Sequence, residues 1–513
     1  MTVRNQISRR DFLKGSAAAA AIAAFAPFMK GTAFADEEKT TTIDYASKVT
    51  ETVETDIVVL GAGMSGLTAA VEALNNGAKV LVLESQPRAG GNGQVTSCVM
   101  AVESRIQKKL GIEVTPAQII ETEMETFNYS VDGVRWSRLI KDSADNIEWL
   151  IDQGCLMMDD FVDNYHGMGV VNTAHWWIGE TARDGGPGFI VPMVARVEEL
   201  GGEIRYQSAG KQLIQNDKGA VVGVYAETED GVLQVNAKAV IIATGGYANN
   251  NDFLTEIGYD PANTAIFGMP GHNGDGIAMA LNAGGKSWLQ NSSLMEYPMN
   301  PKIGQASSFL SENPASLWVN GKGLRFVNEN CAEMVPARAA LAVRSQEISY
   351  ALLDQTLLER LTDGNETNAK VVEDGVANGA IYKADSIEEL AALAGMDAGT
   401  LRETVDTYNA ACKAGEDREF GKKAELMIPL EKGPFYLSEN SGVFFLTTIG
   451  GIDTTPDCEV RSIKGGVVEN LYAVGVDGVE NYKGLYTIDI PGSCNANNIW
   501  SGRHAAQMAC AKL

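Results

Sequence analysis

One segment of the chain, Asp56–Ser85, has the sequence DIVVLGAGMSGLTAAVEALNNGAKVLVLES and carries its strongest structural signal. The unbroken apolar run Ile57–Leu60 predicts a strand that is buried on both faces, as in a parallel sheet. The glycines of Gly61–Gly66 allow a tight turn and a close approach to a pyrophosphate, and the helix that follows presents unpaired N–H groups to it. A second strand, Lys79–Leu83, ends at Glu84, whose carboxylate we expect to accept hydrogen bonds from ribose hydroxyls. The strand, glycine-rich loop, helix, second strand and terminal acid follow one another in the order of a dinucleotide-binding unit, which the segment is therefore predicted to form.

The glycine-rich loop is expected to contact the dinucleotide along its whole length. The contacts predicted in the loop are Gly61, Ala62, Gly63, Met64, Ser65 and Gly66. Glu84 disfavours a cofactor that carries a phosphate on its ribose, because the two negative charges would repel each other.

Length and composition indicate a large globular protein. The chain has 513 residues, of which 45% are hydrophobic, so two domains are expected. Its formal net charge of -25 predicts a surface that repels nucleic acid and anionic lipid, and we expect no nucleic-acid partner. The seven cysteines are widely separated, and no pair has the spacing of a zinc or haem site. We therefore expect no metal site.

The N-terminal segment Ser8–Phe25, SRRDFLKGSAAAAAIAAF, joins two arginines to an alanine-rich apolar run. A twin-arginine signal marks bacterial export in the folded state, and Ala33–Ala35 supplies a small-residue cleavage site. The apolar run is shorter and less hydrophobic than a membrane span of roughly 20 residues. We interpret residues 1–35 as a signal peptide and residues 36–51 as a linker. The protein is then expected in the periplasm or at the extracytoplasmic face of the cell membrane, and not as an integral membrane protein.

Five later segments resemble the FAD-binding elements of the fumarate reductase and succinate dehydrogenase flavoprotein superfamily. In chain order they are PRAGGN (Pro87–Asn92), AVIIATGGYANN (Ala239–Asn250), GHNGDGIAMA (Gly271–Ala280), NLYAVGVDG (Asn470–Gly478) and PGSCNANNIWSGRHAAQMA (Pro491–Ala509). The resemblance implies FAD as the cofactor. It also explains export after folding, because a flavin enclosed between chain segments must be inserted first. No histidine stands where succinate dehydrogenases attach FAD covalently, so we expect non-covalent FAD.

The same resemblance implies the fold class. It is an α/β fold in which a discontinuous, Rossmann-like FAD-binding domain, residues 52–292 and 435–513, is interrupted by an inserted α+β capping domain, residues 293–434. The second part of the FAD-binding domain is expected to close over the flavin. A helix that starts at Asn495–Ile499 would direct N–H groups at flavin N1 and the C2 carbonyl and stabilise the reduced, anionic ring.

Further FAD contacts are implied at positions that match the motifs of the superfamily. Asp275 lies in a GDG turn that supports the cofactor pocket. The set beyond the glycine-rich loop is Glu84, Ser85, Gly90, Gly91, Asn92, Ala243, Thr244, Gly245, Gly246, Asp275, Gly475, Asn495, Asn498 and Ile499.

Three positions depart from the fumarate reductases of this superfamily, which hold a dicarboxylate with arginines and histidines. Their arginine before the last glycine-rich turn falls on Asp489, their histidine falls on Thr447, and their proton-donating arginine falls on Glu333. Two acids and a hydroxyl thus replace three cationic groups. A buried carboxylate left without its partner costs about 2–5 kcal/mol. We therefore expect neither fumarate nor urocanate as the substrate.

A neutral or weakly polar substrate is predicted instead, and reduction of its C=C bond needs a proton donor and a group that polarises the carbonyl. Tyr486 or Tyr297 is the first candidate for the acid, and Arg338 is the next. Tyr486 and the backbone N–H of Gly492 lie near the positions where the 3-ketosteroid dehydrogenases of this superfamily polarise a ketone. Glu333 is interpreted as a partner of Arg338, as a group that binds a substrate hydroxyl or amine, or as a solvated acid.

These inferences predict an exported, FAD-dependent reductase that acts on CH–CH groups. It would transfer hydride from flavin N5 to the activated C=C bond of a small organic acceptor, such as an enone, an acrylate or a steroid-like molecule. A dehydrogenase that desaturates a ketone or ketosteroid, and a non-catalytic flavin electron carrier, are the alternatives. Since the sequence has no haem or iron–sulfur motif, electrons are expected from a separate membrane-bound or extracytoplasmic donor, either a cytochrome or a quinol-linked carrier.

Overall fold

The computed structural model describes residues 43–178, 185–266, 268–334 and 336–513, without the side chains of residues 333, 334 and 336. The predicted signal peptide and the first part of the predicted linker lie outside these residues. The strands are β1 Val49–Leu60, β2 Val80–Leu83, β3 Cys98–Met100, β4 Met157–Asp163, β5 Ala174–Trp177, β6 Glu203–Arg205, β7 Ala209–Gln215, β8 Val221–Thr228, β9 Gly231–Ile242, β10 Thr264–Ile266, β11 Ser293–Met299, β12 Leu317–Asn320, β13 Ser349–Asp354, β14 Ile381–Ala384, β15 Phe435–Glu439, β16 Gly442–Ile449, β17 Glu459–Arg461 and β18 Val467–Ala473.

The α-helices are distributed between these strands. They are α1 Met64–Asn75, α2 Arg105–Leu110, α3 Pro116–Thr126, α4 Gly133–Asp152, α5 Val191–Glu199, α6 Asn251–Glu256, α7 Asp275–Asn282, α8 Ser308–Ser311, α9 Cys331–Met334, α10 Pro336–Arg344, α11 Gln355–Thr362, α12 Glu366–Ala377, α13 Ile387–Ala394, α14 Ala398–Ala414 and α15 Ser493–Cys510. Over the described part of the chain, no helix combines the length and the apolar character that crossing a bilayer requires.

Five parallel strands of the largest sheet end together at one edge. The strand order is β17-β18-β9-β1-β2-β6, and β7 and β8 branch from β9. Leu60, the last residue of β1, pairs with Leu83 of β2 and with Ile242 of β9. Ile242 in turn pairs with Ala473, the last residue of β18. The carboxyl edge of an open parallel sheet is where ligands bind, so this register already locates the candidate site.

The end of the chain packs against its first strand–helix unit. Leu67 and Ala70 of α1 share one hydrophobic core with Ile499 and Ala506 of α15. The apolar run Ile57–Leu60 is buried, as its sequence predicts for a central parallel strand. Residues at both ends of the chain are therefore needed to enclose one side of the large sheet.

A four-stranded antiparallel sheet, in the order β12-β13-β15-β14, forms the centre of the predicted capping segment. Two strands join this segment to the rest of the protein, because β11 leads into it and β16 leads out of it. These strands pair with each other in antiparallel fashion, from Ser293 with Ile449 to Met299 with Gly442. The two links therefore lie side by side.

Strand β15 begins at Phe435, directly after the predicted end of the capping segment at residue 434. Strand β15 pairs with β13 and β14, so it belongs to the sheet of the cap. Phe435 and Tyr436 pack into the two hydrophobic cores on opposite faces of that sheet. We place the cap between the two links, at residues 300–441. The division into a capping and an FAD-binding domain itself stays a prediction.

Gly66 lies where α1 passes closest to the turn after β1. A Cβ added at Gly66 would overlap the carbonyl oxygen of Gly61 and come within 3.3 Å of Ala243 Cβ. We expect Gly66→Ala to lower the free energy of unfolding by about 2 kcal/mol, because the helix must move away from the sheet. The affinity for the expected FAD should fall as well. Chemical denaturation and the flavin content of the purified protein measure the two effects.

Gly133→Ala is the matched control for this substitution. A Cβ at Gly133 would contact only Met124 Cε, at 3.5 Å, among the described residues. If Gly66→Ala matched Gly133→Ala in stability and flavin content, the close approach of helix and turn would not be required.

Candidate active site

A cavity of about 280 Å³ lies at the carboxyl edge of the large sheet. The predicted cofactor-binding residues that line it are Gly61, Gly63, Met64, Ser65, Glu84, Ser85, Gly90, Gly91, Asn92, Ala243, Thr244, Gly245, Asp275, Asn495 and Asn498. Five other predicted residues are not among its lining residues, namely Ala62, Gly66, Gly246, Gly475 and Ile499.

Glu84 holds the glycine-rich loop in place. Its Oε2 accepts a hydrogen bond from the backbone N–H of Ala62 at 2.7 Å, and its Oε1 accepts one from the backbone N–H of Gln86 at 2.8 Å. Burial raises the pKa of the Glu84 carboxyl, and these hydrogen bonds oppose the rise. Ala62 therefore has a structural role in the loop, while Glu84 both fixes the loop and borders the cavity where a ribose is predicted.

Asp477, which the sequence analysis missed, holds the turn after β9. Its buried carboxylate accepts hydrogen bonds from the backbone N–H groups of Gly245 at 3.2 Å and Gly246 at 2.8 Å. Thr244 donates its backbone N–H and its hydroxyl to the same carboxylate. A signal for this role was present in the sequence, because an acid shortly after a buried strand lies at the edge where neighbouring parallel strands also end.

Polar atoms of the cavity residues are left without a partner in the described protein. His272 Nδ1 lies 2.6 Å from the carbonyl oxygen of Gly245, and burial lowers the pKa of the ring, so the imidazole is neutral. His272 Nε2 and Asn498 Oδ1 are buried and have no hydrogen-bond partner. Buried polar groups are normally satisfied. These residues, together with the first turn of α1 at one end and of α15 at the other, fit a long polar cofactor such as FAD.

Three tyrosines, Tyr165, Tyr297 and Tyr486, also line the cavity. The ring of Tyr297 stacks on Phe444 with a centroid distance of 4.9 Å, and the ring of Tyr486 meets Tyr482 edge to face at 4.9 Å. Burial raises the pKa of the Tyr486 phenol well above its usual value, which keeps its proton at neutral pH. Tyr165 was not predicted, because it lies outside the segments that resemble the superfamily.

Arg338 is not among the lining residues. Its Nη2 forms an ion pair with Asp489 Oδ2 at 2.8 Å, and Thr126 donates a hydrogen bond to the same oxygen at 3.2 Å. The side chain of Asp489 is 5% exposed and that of Arg338 is 43% exposed. The acid that stands at the superfamily's arginine position thus binds a cation of the predicted cap. The side chain of Glu333, which was interpreted from the sequence as a partner of Arg338, lies outside the described residues.

No lysine or arginine lines the cavity among the residues that the structure describes. The acidic residues of its wall are Glu84 and Asp275, and Asp275 forms an ion pair with Lys211 at 3.0 Å. Thr447 and the predicted residue Gly492 are part of the same wall. The described wall therefore offers hydroxyl, amide, imidazole and backbone groups, and no lysine or arginine, to a ligand.

Glu123 is a buried acid that the sequence analysis also missed. It is 1% exposed, and neither of its carboxyl oxygens has a hydrogen-bond partner among the described residues. Burial, and then the negative charge of Asp489, raise its pKa well above the usual range, while Arg338 opposes the rise. Its surroundings therefore favour the protonated form of the Glu123 carboxyl. Nothing in the sequence distinguishes it from its neighbours Glu121 and Glu125 on α3.

A family model described as FAD binding domain matches residues 56–488. The chain belongs to this FAD-binding family. A second model, for the twin-arginine translocation pathway signal sequence, matches residues 6–26. The two matches confirm FAD as the cofactor and export of the folded protein to the periplasm or the extracytoplasmic face of the membrane.

Relatives within the FAD-binding family are oxidoreductases. The vinyl phenol reductase of Lactiplantibacillus plantarum is 30% identical over 491 residues, which cover 88% of this chain and 96% of the relative. The fumarate reductase (cytochrome) of Shewanella frigidimarina is 29% identical over 426 residues, which cover 82% of this chain and 71% of the relative.

A solved structure shows the same fold. The 3-ketosteroid Δ4-(5α)-dehydrogenase from Rhodococcus jostii RHA1 superimposes with a TM-score of 0.70 at 22% identity, and the match covers 92% of this chain and 99% of that chain. The predicted α/β fold with a Rossmann-like FAD-binding domain is thereby confirmed. So is the predicted enzyme class, an FAD-dependent oxidoreductase that acts on CH–CH groups. The individual FAD contacts and their non-covalent character stay predictions.

Replacement of Asp477 tests its hold on the turn after β9. Asp477→Ala leaves the buried backbone N–H group of Gly246 and the partly buried ones of Thr244 and Gly245 without their acceptor, which should lower the free energy of unfolding by about 3 kcal/mol. The FAD content should fall too, because Thr244 and Gly245 line the cavity. Urea denaturation and the flavin absorbance of the purified protein measure these changes.

Asp477→Asn is the conservative control. It keeps one acceptor oxygen, so we expect roughly half the loss of stability. Full flavin content in Asp477→Ala would contradict the role of this turn in binding the cofactor.

Proposed function

We propose that this enzyme reduces the C=C bond of a neutral, conjugated organic molecule, such as a vinylphenol or an enone, and does not reduce fumarate. The observation that carries this proposal is the cavity wall, which presents Tyr165, Tyr297, Tyr486 and Thr447 but no lysine or arginine among the described residues. Aromatic surface with a few polar groups suits a flat ligand that forms one or two hydrogen bonds. The 30% identity to a vinyl phenol reductase supports the same substrate class.

A substrate carboxylate would have no lysine or arginine partner among the described residues of this wall. Arg338 is the candidate proton donor that corresponds in function to the proton-donating arginine of the superfamily. It is bound to Asp489 and does not line the cavity. Transfer of Arg338 to a substrate would leave Asp489 buried and unpaired, which costs about 3–5 kcal/mol. We infer that the fumarate reductase relative shares the fold and the cofactor with this enzyme but not the substrate.

The bound FAD would supply hydride from N5, and residues of the chain would hold the substrate and deliver the proton. Tyr486 retains its proton, so its hydroxyl can donate a hydrogen bond to a substrate oxygen or a proton to the second carbon of the double bond. Tyr297 borders the same cavity and is the other candidate acid. The backbone N–H of Gly492 would polarise a substrate carbonyl beside Tyr486. We favour these tyrosines over Arg338 because of its ion pair.

The presence of Tyr486 and Gly492 in one cavity also favours a second candidate function. A ketone or ketosteroid held by this pair could be desaturated, with the electrons passing outward. Turnover with oxidised and with reduced dyes distinguishes the two directions. For the reductive direction, we propose that electrons come from a separate membrane-bound or extracytoplasmic donor, either a cytochrome or a quinol-linked carrier.

The substrate class can be tested with a pair of compounds that differ by one carboxylate. The FAD-loaded enzyme is reduced chemically without oxygen and mixed with 4-vinylphenol or with 4-hydroxycinnamate. Reoxidation, followed by flavin absorbance, should be at least about 30-fold faster with 4-vinylphenol, because an unpaired carboxylate costs about 2 kcal/mol or more. Fumarate and a cyclic enone complete the panel. Faster reoxidation by fumarate than by every neutral alkene would refute the proposal.

The proton donor can be tested with Tyr486→Phe. Loss of the hydroxyl should slow substrate reduction by about a hundredfold or more, because general acid catalysis contributes this much. FAD content and dye-driven reduction of the flavin should not change. Tyr482→Phe is the matched control, because the Tyr482 hydroxyl binds Ser493 at 2.8 Å and Tyr482 is not a lining residue. Equal rates for both variants would assign the proton to another group, with Tyr297→Phe as the next variant to measure.

A further inference from the structure

The turn after β4 holds Tyr165 and His166 in the left-handed region of backbone conformation, with φ of 59° and 55°. Bulky residues rarely adopt this conformation, which costs roughly 1–2 kcal/mol per residue. Asp163 stabilises the turn, because its carboxylate accepts hydrogen bonds from the backbone N–H groups of Tyr165 at 3.0 Å and His166 at 2.9 Å. It accepts another from Trp176 Nε1 at 2.9 Å. Strain that the surrounding structure maintains is often found at functional sites.

This strained turn contributes two side chains to a continuous cluster of aromatic rings. Tyr165 stacks on Trp176 with centroids 5.4 Å apart and planes 8° apart. His166 lies 4.6 Å from Trp176, and Phe161 lies 6.4 Å from it. Trp176 is buried and pairs across the strands with Cys98, which lines the flavin cavity as Tyr165 does. The cluster thus extends from the wall of the cavity to the outside of the protein.

The outer end of the cluster is exposed and apolar, and one exposed acid lies beside it in the chain. Phe161 is 42% exposed, and the side chain of His166 is 57% exposed. Met168 is exposed beside them in the chain. Asp160 is exposed next to Phe161 and forms no ion pair with a described residue. We call this surface the aromatic patch, defined by Asp160, Phe161, Tyr165, His166, Met168 and Trp176.

We propose that the aromatic patch is the docking surface for a basic redox protein that exchanges electrons with the bound FAD. Aromatic residues and methionine are enriched in the cores of protein interfaces. The exposed acid and the net charge of -25 complement a positively charged partner and would steer its approach. This inference goes beyond the proposed substrate and rests on the confirmed cofactor and on the proposed separate electron donor.

The geometry favours electron exchange over substrate entry at this surface. A substrate needs an open channel, but the buried ring of Trp176 packs between Tyr165 and Phe161. Electrons need only a short path through packed atoms. Electron-transfer complexes also use small and transient interfaces, which a patch of a few exposed side chains can provide.

Oxidised mitochondrial cytochrome c is a suitable probe, because it is a small basic protein with one haem. The reduced holoenzyme is mixed with it anaerobically, and the haem absorbance is followed by stopped flow. Each enzyme molecule gives up two electrons, which reduce two ferric haems, and the accompanying protons go to water. In this assay electrons flow from the enzyme to cytochrome c, which is opposite to the direction proposed in the cell. The reaction needs the same docking surface.

The patch variant combines Asp160→Lys with Phe161→Ala. Its matched control, Asp217→Lys with Leu393→Ala, makes the same kinds of change at exposed positions elsewhere. We expect the second-order rate constant to fall by about tenfold in the patch variant at low ionic strength, with a weaker dependence on salt. The control should stay within about twofold of the wild type. A second readout needs no electron transfer: the Kd between oxidised holoenzyme and oxidised cytochrome c should rise by roughly fivefold.

Two further reactions separate this proposal from the proposed function. Reoxidation of the reduced patch variant by 1,4-benzoquinone, a small neutral acceptor, should equal that of the wild type, and so should reoxidation by 4-vinylphenol. If 4-vinylphenol reacted with neither protein, the substrate proposal would fail and the docking result would stand. An unchanged Kd or rate constant in the patch variant, or an equal loss in the control, would overturn the docking surface.

Discussion

The register of five parallel strands is the constraint on which the rest of this structure depends. Because Leu60, Ile242 and Ala473 stand side by side, segments far apart in the chain deliver their turns to one place. Glu84 and Asp477 then fix these turns by binding backbone N–H groups, so the form of the cofactor cavity follows from the sheet. A slip of one residue in a strand would displace its turn by roughly 3.3 Å, which is enough to separate an acid from the N–H groups that it holds.

The charges of Asp489, Arg338 and Glu123 are balanced within the protein. Asp489 and Arg338 neutralise each other, and burial, followed by the negative charge of Asp489, raises the pKa of the Glu123 carboxyl. The groups left for a substrate are hydroxyls such as those of Tyr486 and Thr447. Hydroxyl groups compensate the lost hydration of a neutral ligand more easily than that of an ion. Two buried acids and one partly exposed arginine thus balance their charges within the protein, which supports the proposed preference for neutral molecules.

The elements that are adjacent in the sequence could be predicted from it. The features that depend on contacts between distant segments could not. β1, the glycine-rich loop and α1 are adjacent in the sequence, so their spacing alone predicted the dinucleotide unit. The roles of Asp477 and Tyr165 depend on which distant strands and turns meet, which no local pattern encodes. For the same reason, the pairing of β15 with β13 and β14 cannot be read from its own sequence. Motif matching placed Arg338 near the site, but only the structure shows that Asp489 binds it.

Strand β18 and helix α15 come from the last part of the chain, yet they complete the sheet edge beside β9 and the wall opposite α1. On the ribosome, roughly 20–90 s pass between synthesis of the glycine-rich loop and synthesis of α15, at about 5–20 residues per second. During that time the edge of β9 that β18 will cover is open to pairing with other chains. The flavin can be enclosed only after α15 has been synthesised. A nonsense or frameshift lesion shortly before codon 493 would therefore leave a polypeptide with most of its sheet but no closed nucleotide cradle.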